Sequence, residues 1–167
     1  MQVEAAPFDF EDVFQAHYER IARAIARVVK DPSRAEELAV DVFWKLWRNP
    51  GAQGPHARGW LYRAAVRLAL DELRKQSRRE KYESLFGFPG RAKTPEELHG
   101  DSQRQRHIRT VLAALPRRQA ELLLLRGDGL SYQDIARALE LNPGSVGTLL
   151  SRAQEAFRKE YIRRYGE

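Results

Sequence analysis

The chain has 167 residues and no cysteine, with 29 Lys and Arg against 23 Asp and Glu and a formal net charge of +6. That length suits one or two small domains, and the absence of cysteine excludes a disulfide framework, a thiolate nucleophile and a zinc finger. No apolar run nears the roughly 20 residues that span a bilayer, and the acidic N-terminal stretch to Asp12 is unlike a signal peptide, so the expectation is a cytoplasmic protein with no membrane insertion.

Phe10, Phe14, Tyr18, Ile21, Ile25 and Val28 recur at helical steps and predict a first helix over about 9–30, with that face in the core. Asp31, Pro32 and Ser33 separate it from a second helix, for which Ser33 is the candidate N-cap and Glu36 its capping-box partner. Ala35, Leu38, Val42 and Leu46 form the buried stripe there, and the breaker-rich stretch 49–55 reads as a loop. A third helix over about 57–75 has Leu61, Ala65, Leu68, Ala69 and Leu73 on its apolar side. Beyond it the apolar period lapses, and Gly87, Pro89, Gly90 and Pro95 interrupt the chain, which predicts a flexible linker with a short helix opening at Thr94 and Pro95. In the last third, Ile108 to Leu115 and Ala120 to Leu125 read as helices. Ser131 caps another that ends at Leu139, and Asn142 with Pro143 starts the final one, which runs to about Tyr165. The fold class is all-α: two small helical domains, 1–81 and 104–167, joined by a linker at 82–103, with a helix-turn-helix in the second.

The charge is unevenly spread. Residues 1–55 carry a net −2, residues 56–81 a net +5 and residues 82–167 a net +3, and 23 of the 29 bases are Arg. Arg presents a planar donor fork that suits phosphates and base edges, so a concentrated Arg patch points to an anionic polymer. On the third helix Trp60, Arg63, Arg67 and Arg74 share a face about 60° wide. An aromatic ring beside guanidinium groups suits single-stranded nucleic acid, with bases stacking while Arg holds phosphates. It equally suits a solvated, salt-bridged face. Asp71, on the same side, is expected to pair with Arg67 and Arg74.

Leu130 to Arg152 has the layout of a helix-turn-helix, with Ala136 at the helix crossing and Val146, Leu149, Leu150 and Ala153 turned inward. The outward residues of its second helix, Gly144, Ser145, Gly147, Thr148, Ser151 and Arg152, are small enough for close approach to a major groove. On the second helix Glu37, Asp41 and Trp44 form an acidic and aromatic surface suited to a protein partner, while Trp47 fits that surface or a second buried side.

Three stretches together resemble a bacterial RNA polymerase sigma factor of the sigma-70 family, extracytoplasmic-function (ECF) type. Ala35-Glu36-Glu37-Leu38-Ala39-Val40-Asp41-Val42-Phe43-Trp44-Lys45-Leu46-Trp47 is similar to the family's polymerase-clamp-binding helix. Trp60-Leu61-Tyr62-Arg63, continuing to Leu70-Asp71-Glu72-Leu73-Arg74, is similar to its promoter-melting helix. Leu115-Pro116, Leu130 to Ala136 and Ser145 to Ala153 are similar to its helix-turn-helix. The resemblance implies a promoter-recognition subunit that catalyses nothing itself and takes neither cofactor nor metal. Its partners are then core RNA polymerase, promoter DNA and an anti-sigma factor.

By the same resemblance Glu37, Asp41 and Trp44 bind core polymerase. Asn49, His56, Arg58, Trp60, Arg63, Arg67, Arg74 and Lys75 meet the downstream (minus-10) element, with an unstacked base entering the 49–56 loop. Arg117, Arg118, Ser131, Tyr132, Asn142, Gly144, Ser145, Thr148, Ser151 and Arg152 meet the upstream (minus-35) duplex. Four positions depart from the family's pattern: Arg67 replaces a usual Asn, Val40 a frequent Gln, Glu140 a frequent Gly, and Leu150 a common Lys whose loss weakens the phosphate hold of the recognition helix. The other readings are a stand-alone helix-turn-helix regulator and a sigma-like mimic that only engages an anti-sigma factor.

Overall fold

The structure, a computed structural model, describes residues 7–87 and 102–166. Asp9 begins helix α1 (Phe10–Val29) by accepting a hydrogen bond from the Asp12 N–H at 3.2 Å, and the left-handed Lys30 ends it. Asp31 then caps α2 (Pro32–Trp47) through the Arg34 N–H at 3.1 Å. The cap is therefore Asp31 and not Ser33. Pro32 occupies the first helical position, where its missing N–H costs nothing, and this places Ser33 inside the helix. A single 3₁₀ turn (Pro50–Ala52) leads to α3 (Ala57–Leu85).

Helix α3 runs ten residues beyond its expected end at 75, taking in positions 82–85 of the expected linker. The segment 76–85 contains no Gly or Pro and is rich in Arg, Lys, Glu and Gln, all good helix formers. It therefore stays helical without an apolar stripe, as a mostly exposed arm that stops at Phe86 and the left-handed Gly87. The short helix expected at Thr94 and Pro95 falls outside the described residues.

The second half comprises α4 (Gln103–Ala114), α5 (Arg117–Gly127), α6 (Tyr132–Leu139) and α7 (Pro143–Tyr165). Every regular element among the described residues is a helix, in two helical domains as expected. In the first, Ile21, Ile25, Val42, Phe43, Leu46 and Leu61 are almost fully buried, and the Phe14 and Phe43 rings meet edge to face at 5.0 Å. In the second, α7 packs on α4, α5 and α6 through Val111, Leu122, Leu125, Ile135, Val146 and Ala153.

Helix α3 belongs to both. One side meets α1 and α2, and the other meets α4, α5 and α6. This explains a buried arc wider than the predicted stripe: Tyr62, Val66 and Leu70 are buried alongside Leu61, Ala65, Ala69 and Leu73. Gly59 allows the closest approach, since a Cβ built there would lie 3.5 Å from the Ala138 Cα and 3.8 Å from its Cβ.

Candidate nucleic-acid interface

The loop between α2 and α3 is held by Gln53, whose Nε2 donates to the carbonyls of Leu46 at 3.0 Å and Trp47 at 2.9 Å. The Leu46 carbonyl also accepts from the Asn49 N–H at 3.1 Å, while that of Trp47 lies at the helix C-terminus where intrahelical donors run out, so one side chain both ends α2 and pins the loop. Sequence reasoning missed it, although Gln shortly after a predicted helix end is a usable signal. The loop, with Asn49 and the exposed His56, lines a cleft of about 660 Å³ together with Trp60 and Arg63. Arg137, Ala138 and Glu140 of the second domain form the opposite wall.

The arginines of α3 keep part of their surface in solvent but each also reaches a partner in the second half of the chain. The Arg58 Nη1 is 3.1 Å from the Asp134 carboxylate, and Arg63 is 3.7 Å from that of Glu140. The Arg67 Nε donates to Glu121 at 3.0 Å, while Arg74 donates to the Leu115 carbonyl at 3.0 Å. Asp71, expected to pair with Arg67 and Arg74, instead reaches Arg117 at 3.4 Å. The tertiary partner outcompetes the neighbours on its own helix, which are already committed across the interface. Lys75 remains exposed.

Glu121 is 2% exposed and is the only buried charged residue among those described. Besides Arg67 it receives Arg117, whose Nε is 3.4 Å away. A carboxylate is tolerated at such a site only when paired in this way. Around Asp134, burial opposes ionisation, but the hydrogen bond from Ser131 and the nearby Arg58 and Arg137 hold its carboxyl below the usual value. Asp128 is the reverse case. Burial pushes its carboxyl up despite an ion pair with Arg27 of α1, which ties the first domain to the turn after α5. The His17 pKa is lowered, first by burial and then by Arg58 and Arg20, and its Nδ1 is buried without a hydrogen-bond partner.

The helix-turn-helix is built by its caps. The Ser131 Oγ accepts from the Asp134 N–H at 3.1 Å to start α6, and the Asn142 Oδ1 accepts from the Gly144 N–H at 2.9 Å to start α7. Between them Glu140 is left-handed, with φ 55° and ψ 48°, which explains in physical terms why a Gly is expected there. Gly144, Ser145, Thr148, Ser151 and Arg152 are all exposed along the first turns of α7. Tyr132 lies against them at Gly147 and under the Arg126 guanidinium, 5.2 Å from its ring centre.

Leu150 is 3% exposed, so here that position fills the core and presents nothing to solvent. The expected weakening of the recognition helix at Leu150 is withdrawn on that ground. Arg117 and Arg118 are turned to internal partners. Arg118 donates to the Leu139 carbonyl at 2.9 Å, closing the C-terminus of α6.

On α2, Val40, Trp44 and Trp47 are each more than half exposed beside Glu37 and Asp41. Trp47 touches Phe10 only edge to face, at 5.0 Å, and so belongs to the surface and not to a second buried side. Glu37 pairs with Arg34, and Asp41 with Lys45, within the helix. No group of three or more His, Asp or Glu arranged to hold a metal occurs among the described residues, and none of their helices is long and apolar enough to cross a membrane.

Residues 7–79 match the family model described as Sigma-70 region 2, and residues 105–156 match Sigma-70, region 4. The ECF RNA polymerase sigma factor SigK of Mycolicibacterium vanbaalenii is 30% identical over 159 residues, covering 88% of this chain and 79% of the relative. SigE of Mycolicibacterium smegmatis is 26% identical over 97% of this chain, which spans 65% of that relative's length. Among solved structures, the sigma factor RpoE in complex with the anti-sigma factor NepR from Bartonella quintana has a similar fold. Its TM-score is 0.55 at 21% identity, covering 91% of this chain and 96% of that one.

Proposed function

Because the chain belongs to the ECF-type family of RNA polymerase sigma factors, we propose that it binds core RNA polymerase, recognises the minus-35 and minus-10 promoter elements and assists promoter melting. Residues 1–81 form the polymerase- and minus-10-binding unit, 104–167 the minus-35-binding unit, and 82–103 the connection. Glu37, Asp41 and Trp44 dock on the polymerase, a reading supported by the exposure of Glu37 and Trp44 beside the half-buried Asp41. Asn49, His56, Trp60 and Arg63 receive an unstacked base in the cleft beside the loop, with Arg58, Arg67, Arg74 and Lys75 tracking phosphates. Ser145, Thr148, Ser151 and Arg152 approach the major groove, while the N-terminus of α7 and its Asn142 cap meet the backbone. The protein acts by binding and not by catalysis, works in the cytoplasm, and has an anti-sigma factor as its regulatory partner.

The observation that carries this reading is the pairing, in one chain and in family order, of an acidic-aromatic helix, an aromatic-arginine helix and an exposed helix-turn-helix. A stand-alone regulator needs neither of the first two. Run-off transcription with core polymerase and a promoter library tests it. Specific initiation dependent on the protein is expected, and no specific start together with no core binding removes the reading.

A further inference from the structure

We propose that the exposed arm at the end of α3, residues 75–86, is a further contact for single-stranded DNA. The adjoining rings of Tyr82 and Phe86 are its stacking platform, and Lys75, Arg78 and Arg79 hold phosphates. This rests on the role given above to the α3 face and carries that face beyond the packed part of the helix.

The residues of the arm are sorted by side. At 100° per residue, Lys75, Arg78, Arg79, Tyr82, Leu85 and Phe86 lie within an arc about 120° wide, and Glu80 and Glu83 fall outside it. Trp60 and Arg67 fall in the same arc several turns earlier, so one basic face runs the length of the helix with an aromatic group toward each end. All six residues of the arm's arc are exposed. Tyr82 is 58% exposed, Leu85 82% and Phe86 62%, and large apolar groups left open together in this way mark an interaction surface.

Charge and ring geometry select the occupant. Arg58, Arg63 and Arg67 each face a carboxylate of the second domain, whereas Lys75, Arg78 and Arg79 make no ion pair among the described residues. An anionic partner therefore meets cations that it need not first separate from acids. The Tyr82 and Phe86 ring centres are 4.5 Å apart with 37° between their planes. The rings already touch, so a base adds to the outside of the pair and does not enter between them. A duplex supplies phosphates but keeps its bases stacked on one another, which leaves the rings without a partner. A single strand uses the rings and the cations at once.

The spacing sets the length of strand. Tyr82 follows Trp60 by 22 residues, about 33 Å along a helix that rises 1.5 Å per residue. A strand that reaches both ends needs roughly ten nucleotides at the stacked spacing of 3.4 Å.

The test titrates the full-length chain with a labelled thymine-rich single-stranded DNA of about 15 nucleotides, which exceeds that span, with a duplex of the same length and with the corresponding RNA. Tyr82→Ala combined with Phe86→Ala is expected to weaken single-strand binding at least about fivefold and to leave duplex binding within about twofold. Arg78→Gln combined with Arg79→Gln is expected to lower the slope of log affinity against log salt by about 1.4, at roughly 0.7 for each phosphate contact. These side chains are exposed, so both variants are expected to keep the helical content of the parent chain by circular dichroism. Unchanged single-strand binding by the ring variant, an equal loss on duplex, a loss confined to RNA, or an unchanged salt slope overturns the proposal. Trp60→Ala separates it from the reading on which it rests. A loss of single-strand binding there with none in the arm variants overturns the arm alone, and no loss in any of them overturns the role of the α3 face as well.

Discussion

Glu140 sits at φ 55° between the two helices of the helix-turn-helix, and replacing it isolates the cost of that backbone. A residue with a Cβ in the left-handed region costs about 1–2 kcal/mol, whereas Gly tolerates it but adds roughly 0.4–1 kcal/mol of freedom to the unfolded chain. The side chain contributes little in return, since Glu140 is highly exposed and its ion pair with Arg63 is 3.7 Å long, a class worth about 0–0.5 kcal/mol here. Glu140→Gly is therefore expected to stabilise the protein by about 0.5–1 kcal/mol. That is a rise in melting temperature of roughly 1–4 °C for a chain of this size. Glu140→Ala removes the same ion pair but keeps the Cβ, and is expected to be neutral or worse by less than about 0.5 kcal/mol. Urea and thermal unfolding followed by circular dichroism measure both. A Gly variant no more stable than the Ala variant refutes the strain argument.

Three further outcomes follow from other parts of the fold. Because the folded pKa of His17 lies below its ordinary 6.5, the unfolded chain binds the proton first, and the stability it contributes is lost as pH falls through and below about 6.5. His17→Leu is expected to flatten the fall in urea midpoint toward acid, and an unchanged pH profile counts against it. Gln53→Ala leaves the Trp47 carbonyl unpaired and Leu46 with only its backbone donor Asn49, and is expected to cost about 1–2 kcal/mol in urea unfolding; a cost under about 0.3 kcal/mol contradicts the capping role. Phe43 and Trp44 are neighbours with opposite fates. Phe43→Ala empties core space and costs about 3–5 kcal/mol, while Trp44→Ala stays within about 0.5 kcal/mol yet weakens binding to core polymerase in a pull-down. Unimpaired binding removes Trp44 from the docking surface.

What the sequence made legible was local. The periodic faces of α1 and α2, the Ser131 and Asn142 caps and the small exposed residues of α7 depend on neighbours within a turn or two. The departure at Glu140 even pointed to a backbone position suited to Gly. What stayed hidden depends on distant partners. Glu121 reads as an ordinary surface acid until Arg67, 54 residues away, and Arg117 enclose it. Asp71 has suitable neighbours on its own helix but turns to Arg117, and Arg118, an apparent DNA contact, closes α6. The extension of α3 was missed because its last turns have propensity without an apolar stripe, and a search for periodicity sees only the stripe.

The position of α3 between two hydrophobic layers has a genetic consequence. Most helices of a two-domain protein belong to one of them, so a mutation there has one kind of phenotype. On α3, residues a single turn apart face different layers or the shared boundary: Leu61 is buried, Trp60 lines the cleft, and Arg63 meets Glu140. A random screen across α3 will therefore return core, cleft and domain-boundary alleles interleaved along this one helix.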